Sequence, residues 1–178
     1  IFTHHPDFKD VPQYYSRYSA FHIEGGDILN INEHTLAIGI SQRTEPDAID
    51  EIAHNIFNDP TSPVDTILAF NIPNNRAMMH LDTVFTQIDV DKFTIHPGIM
   101  GPLSVFEITP EGDGIKVHEI NAPLEQILEK YIGMPVTLIP CGGGDRIAAE
   151  REQWNDGSNT LCIAPGRVVV YERNDVTN

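Results

Sequence analysis

The stretch Glu24-Gly25-Gly26-Asp27-Ile28-Leu29-Asn30-Ile31 begins the patterned part of the chain and indicates how it folds. A glycine-containing turn leads into a short apolar run. The polar turn at residues 32–34 follows, and a second apolar run occupies residues 36–40. Two short apolar runs with a polar turn between them predict a β-hairpin. The stretch therefore predicts a turn followed directly by paired strands.

A helix and a strand are predicted after this hairpin. Thr44 is the predicted N-cap, and Pro46 lies early in the first helical turn. The apolar residues between 49 and 56 recur at helical spacing, so we predict a helix with one buried stripe. Residues 66–70 then form an apolar run that is typical of a buried strand. The order is hairpin, helix and strand.

The rest of the chain continues this alternation. We predict strands at residues 93–95, 103–108, 115–120 and 136–139, a helix from Leu124 that ends at Gly133, and a hairpin of residues 161–163 and 168–171. Strands, hairpins and helices alternate, so the predicted fold class is α/β (α+β). Gly-Gly-Asp near residue 25 recurs in part near residue 143, which suggests a modular architecture.

Composition limits the possible partners and compartments. The chain has 178 residues, which fits one domain, and 26 acidic against 11 basic residues give a net charge of −15. This charge argues against nucleic acid and anionic membranes, since both attract basic proteins. It suits a cationic small substrate, although solubility also accounts for an acidic surface. Two cysteines without a C-x-x-C motif indicate neither a disulfide framework nor zinc, and a reducing cytoplasm is the predicted location.

The stretch Arg76-Ala77-Met78-Met79-His80-Leu81-Asp82-Thr83-Val84-Phe85 is the predicted centre of the chemistry. His80 and Asp82 are two residues apart, and in an extended segment such side chains share a face. A histidine that titrates near neutral pH can transfer protons, and a neighbouring carboxylate can orient it or bind a cation. The alternative is a strand with two solvated polar residues.

Other candidate residues lie around two turns. Glu24 and Asp27 flank a flexible glycine turn, where two carboxylates can bind a guanidinium or can simply be solvated. Arg43 can pair with a substrate carboxylate or lie on the surface. Cys141 precedes three glycines, but nothing in the sequence places a basic group on its sulfur. We therefore expect Cys141, like Cys162 in its predicted strand, to be a small buried side chain.

Taken in order, four motifs make the chain resemble the arginine deiminase family of guanidine-modifying enzymes. These motifs are Glu24-Gly25-Gly26-Asp27, Ser41-Gln42-Arg43-Thr44, Met79-His80-Leu81-Asp82-Thr83-Val84-Phe85 and Ala149-Glu150-Arg151-Glu152-Gln153-Trp154-Asn155-Asp156-Gly157-Ser158-Asn159. The resemblance implies a pentein-type α/β propeller, in which ββαβ modules form a five-module ring. Enzymes of the family are more than twice this length, so residues 1–178 are expected to be a single catalytic-domain fragment with an incomplete ring.

The resemblance also implies an activity and roles for individual residues. The family hydrolyses L-arginine to L-citrulline and ammonia through a Cys-bound thiouronium, with no cofactor and no metal. His80 is then the general acid and base, while Glu24 and Asp82 bind the guanidinium. Arg43 pairs with the substrate carboxylate, and Asp27 supports the substrate-binding side by holding the turn or a neighbouring strand.

One departure and several alternatives accompany this resemblance. The family's nucleophilic Cys belongs to a motif beyond Asn178, and Cys141 and Cys162 do not occupy it, so we expect this chain to be inactive alone. A related guanidine enzyme, namely an agmatine deiminase or an amidinotransferase, is one alternative. A non-catalytic arginine-binding or interaction fragment is another. Because an incomplete ring leaves open strand edges and exposed apolar faces, we also expect a homo-oligomer.

Overall fold

The computed structural model of the chain describes residues 1–101 and 103–178. Three α-helices are described: α1 (Pro46–Phe57), α2 (Leu124–Ile132) and α3 (Arg146–Gln153). The described strands are β1 (Ile28–Asn30), β2 (Thr35–Ile40), β3 (Thr66–Asn71), β4 (Phe85–Gln87), β5 (Lys92–Ile95), β6 (Val105–Glu111), β7 (Gly114–Ile120), β8 (Thr137–Pro140), β9 (Leu161–Ala164) and β10 (Arg167–Val169). The predicted fold class, α/β (α+β), is confirmed.

The strands form two main sheets and a separate hairpin. A five-stranded sheet has the order β1-β2-β3-β6-β7, and a three-stranded sheet has the order β4-β5-β8. In each sheet one pair is parallel, β2 with β3 and β5 with β8, while the other neighbours are antiparallel. Strands β9 and β10 pair only with each other in the described part of the chain.

Two ββαβ units account for this arrangement. In the first, the β1–β2 hairpin is followed by α1 and then by β3, which runs parallel to β2. In the second, the β4–β5 hairpin is followed by α2 and then by β8, which runs parallel to β5. The β6–β7 hairpin is inserted into the second unit and extends the first sheet. These units agree with several modules of an incomplete ring.

The start of the second unit differs from the repeat that the glycines predicted. Short 3-10 turns at Gly25–Asp27 and Leu81–Thr83 lead into the two hairpins. The segment Cys141–Gly144 also forms a 3-10 turn, but helix α3 follows it directly and no hairpin lies between them. The structural repeat therefore begins near residue 81, and its prediction near residue 143 was wrong. The later glycines serve a tight turn with positive φ angles instead.

The centre of the five-stranded sheet is covered on both faces, as β3 shows, whereas the edge strand β7 is mostly exposed. Ile67 and Ala69 pack with the apolar stripe of α1, as the helical spacing predicted. Leu68 and Phe70 point to the opposite face and pack with the second sheet and α2. There Phe70, Phe85 and Phe93 form a stack, with 4.8 Å between the ring centroids of the last two. Burial on both faces fixes the two ββαβ units against each other.

The start of α1 differs from the prediction in one respect. The N-cap position is Glu45, whose side chain makes no capping hydrogen bond. The Thr44 hydroxyl instead donates to an Asp27 carboxylate oxygen at 2.7 Å and accepts from the Glu24 backbone N–H at 3.1 Å. Thr44 therefore ties the helix start to the Glu24 turn, so the prediction of Thr44 as N-cap was wrong. Gly133 ends α2 with φ 79°, as predicted.

Helix α3 fixes the C-terminal segment through the buried carboxylate of Glu152. This carboxylate accepts hydrogen bonds from the backbone N–H groups of Val176 and Thr177 at 2.9 and 3.0 Å, and from the Thr177 hydroxyl at 2.5 Å. Arg151 donates a further bond at 3.2 Å. Burial raises the pKa of Glu152, and these donors more than offset it, so the net shift is downward. Residues 176 and 177 are therefore held on α3.

Candidate functional site

His80 and Asp82 meet at the 3-10 turn that opens the second unit. His80 has extended backbone angles, whereas Asp82 lies within the turn Leu81–Thr83, so the predicted extended segment is corrected to a turn. The two side chains nevertheless lie together, with His80 Nδ1 at 3.3 Å from Asp82 Oδ1. Leu81 points away from them into the core and is fully buried. His80 and Asp82 therefore share a face, as predicted, although a different backbone conformation produces it.

Glu24 and Arg43 come from the first unit and complete the cluster. Glu24 Oε2 lies 3.6 Å from His80 Nε2, so the imidazole stands between two carboxylates. The same Glu24 oxygen lies 3.5 Å from a guanidinium nitrogen of Arg43. The Glu24 and Arg43 side chains are about half exposed, whereas that of His80 is mostly buried. The predicted residues therefore come together from separate segments at one solvent-accessible site.

Asp27 lies beneath this cluster and is fully buried. One of its carboxylate oxygens accepts hydrogen bonds from the hydroxyls of Ser41 and Thr44, at 2.6 and 2.7 Å. The other accepts from the Leu81 backbone N–H at 2.8 Å. Asp27 thus joins the Glu24 turn, the start of α1 and the His80 segment. This geometry favours the supporting part of its predicted role.

The glycines of the site leave room for these two aspartates. A Cβ atom on Gly26 would lie 2.9 Å from an Asp82 carboxylate oxygen. A Cβ atom on Gly39, in β2, would collide with an Asp27 carboxylate oxygen and lie 2.9 Å from the Leu81 Cβ. Neither glycine has a positive φ, so close approach rather than backbone conformation requires them.

The electrostatics of Asp82 differ from those of a solvated acid. Burial raises the pKa of its carboxyl, and attraction to His80 offsets part of that rise. Repulsion from Asp27 adds to the rise, while the side chain of Asn159 lowers it. Within the described residues, His80 Nδ1 and Asp82 Oδ1 are buried and have no hydrogen-bond partner of acceptable geometry, despite their ion-pair distance. The Asp82 carboxylate is therefore only partly compensated in its buried surroundings.

Two functional contacts of this region were not predicted. The side chain of Asn159 lowers the pKa of Asp82, and Gln153 donates hydrogen bonds to the backbone on both sides of His80. Both residues lie within the quoted motif of residues 149–159, but the sequence alone assigned them no role. The neighbouring sequence gives little indication of these contacts, because each residue acts on a segment about seventy residues away.

The hydrogen bonds of the two cysteines involve none of the cluster residues in the described part of the chain. Cys141 is fully buried, and its sulfur lies 3.4 Å from the Thr177 hydroxyl oxygen, to which the thiol can donate because that hydroxyl's own proton goes to Glu152. A Cβ on Gly157 would lie 2.7 Å from that sulfur. Cys162 is partly buried in β9 and donates to the backbone carbonyl of Ala164 at 3.2 Å. Cys141 is buried as predicted, while Cys162 remains partly exposed.

A cavity of about 840 Å³ is lined by Met78, His96 and several residues of α3, among them Gln153. It contains none of the predicted site residues. In residues 1–101 and 103–178, no cluster of three or more His, Cys, Asp or Glu side chains has the proximity needed to hold a metal ion. Over the same residues, no helix is long and apolar enough to cross a bilayer.

Comparison with known proteins relates the chain to one family. The sequence model of a family described as "Arginine deiminase" matches residues 1–178. The chain is 65% identical over 183 residues to an arginine deiminase of Treponema denticola. It is 56% identical over 184 residues to one of Clostridium perfringens, and 52% identical over 180 residues to one of Streptococcus uberis. Each alignment covers 100% of this chain and 44% of the relative.

The two ββαβ units are consistent with a partial pentein-type fold, the fold class that the four motifs implied. The chain belongs to the arginine deiminase family, as the four motifs predicted. It spans less than half the length of the curated relatives that it matches.

Proposed function

We propose that the protein containing this chain hydrolyses L-arginine to L-citrulline and ammonia. The observation that carries the proposal is the convergence of Glu24, His80 and Asp82 at a solvent-reached place, on a chain of the arginine deiminase family. Two carboxylates can fix the plane of a guanidinium for attack, and the imidazole between them can transfer the protons.

Glu24 and Asp82 bind the substrate guanidinium in this proposal. A guanidinium already lies against Glu24 in the structure, that of Arg43, so the carboxylate is oriented for such a group. When L-arginine binds, its guanidinium takes the place beside Glu24, and Arg43 turns to the substrate α-carboxylate. Asp27 holds the turns that carry these side chains.

The chemistry requires a thiolate and a proton carrier. A Cys thiolate attacks the guanidinium carbon, and His80 supplies the proton with which ammonia leaves. Water then attacks the resulting thiouronium, His80 accepts its proton, and L-citrulline departs as the thiolate is restored. Neither Cys141 nor Cys162 contacts the cluster in the described part of the chain, so we propose that the nucleophile lies outside residues 1–178. The chain alone is then inactive.

Citrulline formation tests this proposal directly. We expect the full-length protein to produce L-citrulline from L-arginine, and the purified 178-residue chain to produce none. His80→Asn in the full-length protein should lower kcat by about 10² or more, the usual contribution of general acid–base catalysis. Gln126→Met, on the exposed face of α2, is the control. Citrulline produced by the 178-residue chain would refute its inactivity, and calorimetry with L-arginine separates a residual binder from an inert piece.

The substrate carboxylate distinguishes arginine from agmatine, which lacks one. If Arg43 pairs with that carboxylate, Arg43→Ala weakens binding of L-arginine and leaves binding of agmatine unchanged. Equal losses for both ligands would instead assign Arg43 to the guanidinium end of the site or to support of Glu24. Competition calorimetry with the two ligands measures the difference.

Assembly and location belong to the same proposal. The β9–β10 hairpin exposes apolar side chains, among them Leu161, Ile163 and Val169, which supports a homo-oligomer. We propose that the protein works in the cytoplasm. Light scattering of the full-length protein tests the assembly, and a monomeric mass at micromolar concentration would contradict it.

A further inference from the structure

Gln153 connects the last turn of α3 to the segment that carries His80 and Asp82. Its side chain is buried, and its Nε2 donates to the backbone carbonyl of Ala77 at 2.5 Å and to that of Thr83 at 2.9 Å. Because both partners are carbonyl oxygens, only the NH2 end of the amide can face them. One side chain therefore holds two points of the same segment.

The positions of these two points matter for the proposed site. Ala77 precedes His80 by three residues, and Thr83 follows Asp82 directly. Between them, the Leu81 N–H is held by Asp27 from the side of the five-stranded sheet. The segment is thus fixed before His80, between His80 and Asp82, and after Asp82. Its backbone has little freedom to rotate the imidazole away from the two carboxylates.

The unpaired end of the Gln153 amide helps to explain why a glutamine occupies this position. Gln153 Oε1 is buried and has no hydrogen-bond partner among the described residues. An unsatisfied buried acceptor destabilises a fold, so stability alone gives a poor account of an amide at this position. A better explanation is that Gln153 holds the carbonyls of Ala77 and Thr83, on either side of the proposed catalytic residues.

We propose that Gln153 is a positioning residue, which orients His80 and Asp82 by fixing the backbone from Ala77 to Thr83. This inference rests on the proposed function, since it assigns Gln153 to that same site. In the described part of the chain, its hydrogen bonds go to backbone carbonyls and not to His80 or Asp82. It therefore acts through the segment and is not itself a catalytic residue.

The full-length Gln153→Met variant tests the inference, because methionine has similar length but no donor. We expect kcat for L-arginine to fall by about tenfold to a hundredfold, the scale of a misplaced catalytic group, and KM to rise by less than kcat falls. Hydrogen–deuterium exchange of peptides covering residues 76–85 should become faster. The pH dependence of kcat should also shift, since the surroundings of His80 change.

Two controls separate positioning from loss of stability. Gln126→Met makes the same substitution on the exposed face of α2, and it should leave kcat and exchange at residues 76–85 unchanged. Ile52→Val removes one methyl group from the cluster beside α1, so it lowers global stability without touching the segment.

The outcomes separate the two proposals. If Gln153→Met lowers thermal stability like Ile52→Val but retains its kcat, its pH profile and slow exchange at residues 76–85, positioning is overturned. If the wild-type protein forms no citrulline, the proposed function fails. The exchange measurement then still decides whether Gln153 orders the segment.

Discussion

Asp27 and Asp82 are two aspartates of one site with opposite surroundings. Asp27 is fully buried, and both of its oxygens accept hydrogen bonds, from two hydroxyls and one backbone N–H. Asp82 is less buried, yet its Oδ1 has no hydrogen-bond partner among the described residues, and burial raises its pKa. The more deeply buried carboxylate is the satisfied one.

On the proposed function, this difference separates the part of the site that maintains its shape from the part that receives the substrate. Burying a polar group costs free energy unless hydrogen bonds compensate, and they do so for Asp27. Asp82 has only part of that compensation, mainly from His80, so a bound cation can supply the rest. The comparison predicts that substitutions at Asp27 affect stability first, whereas substitutions at Asp82 affect activity first.

Asp27→Ala should produce the largest effect on stability. It leaves the Ser41 and Thr44 hydroxyls and the Leu81 N–H without their acceptor, at about 1 kcal/mol or more for each unsatisfied group. We expect the free energy of unfolding to fall by about 3 kcal/mol or more. Urea unfolding measures it, with Asp113→Ala in the exposed turn between β6 and β7 as the control. A loss no larger than that of the control would contradict the role of Asp27.

Asp82→Asn should produce the reverse pattern. We expect turnover of L-arginine by the full-length protein to fall by about a hundredfold, typical of losing one electrostatic contact to the reacting group. Stability should stay equal or increase at neutral pH, because the variant no longer buries an incompletely compensated charge. A citrulline assay beside urea unfolding tests both parts. A large loss of stability would show that Asp82, like Asp27, is structural.

A matched pair of glycine substitutions sharpens the same comparison. Gly39→Ala pushes a methyl group against Asp27 and the Leu81 Cβ, and we expect it to destabilise the fold by about 1–3 kcal/mol, the usual cost of overpacking. Gly26→Ala pushes its methyl group against the end of the Asp82 side chain, which can move. Gly26→Ala should weaken L-arginine binding, and it should lower the free energy of unfolding by less than Gly39→Ala does. Equal effects of the two variants on unfolding would remove the distinction.

The smallest expected effect is the pH dependence that Asp82 gives to the free energy of unfolding. Because the pKa of Asp82 is raised in the folded state, the folded protein holds that proton more tightly than the unfolded chain. The resulting stabilisation is complete below the unfolded value of about 3.9 and is lost as the pH rises through the raised folded value. The free energy of unfolding of Asp82→Asn, relative to wild type, should therefore increase from acidic to neutral pH. Asp113→Asn, in the exposed turn, should show no such trend.

The sequence predicted the elements with strong periodicity and missed those that depend on buried polar contacts. The stripe of α1 and the αL glycine after α2 are local signals, and both predictions were confirmed. Helix α3 was not predicted because its buried residues include Glu152 and Gln153, while Ile147 is exposed. An apolar stripe does not describe such a helix. Its position depends on hydrogen bonds to distant backbone groups.

The candidate site shows the same division between local and distant signals. Spacing suggested that His80 and Asp82 share a face, and they meet, although in a 3-10 turn rather than a strand. Their approach to Glu24 followed only from the resemblance, since fifty-six residues separate Glu24 from His80. The link through Thr44 was missed because a threonine before Pro46 has the ordinary signature of an N-cap, whereas its hydroxyl is used by Asp27.

The burial of Cys141 beneath Gly157 and Thr177 makes its thiol a natural sensor of local opening. Because the sulfur is fully buried, an alkylating reagent reaches it only after local opening, and we expect detachment of Val176 and Thr177 from Glu152 to be that opening, so the rate of modification should report how often it occurs. Cys162, which is partly exposed, should react sooner and provides an internal reference within the same chain.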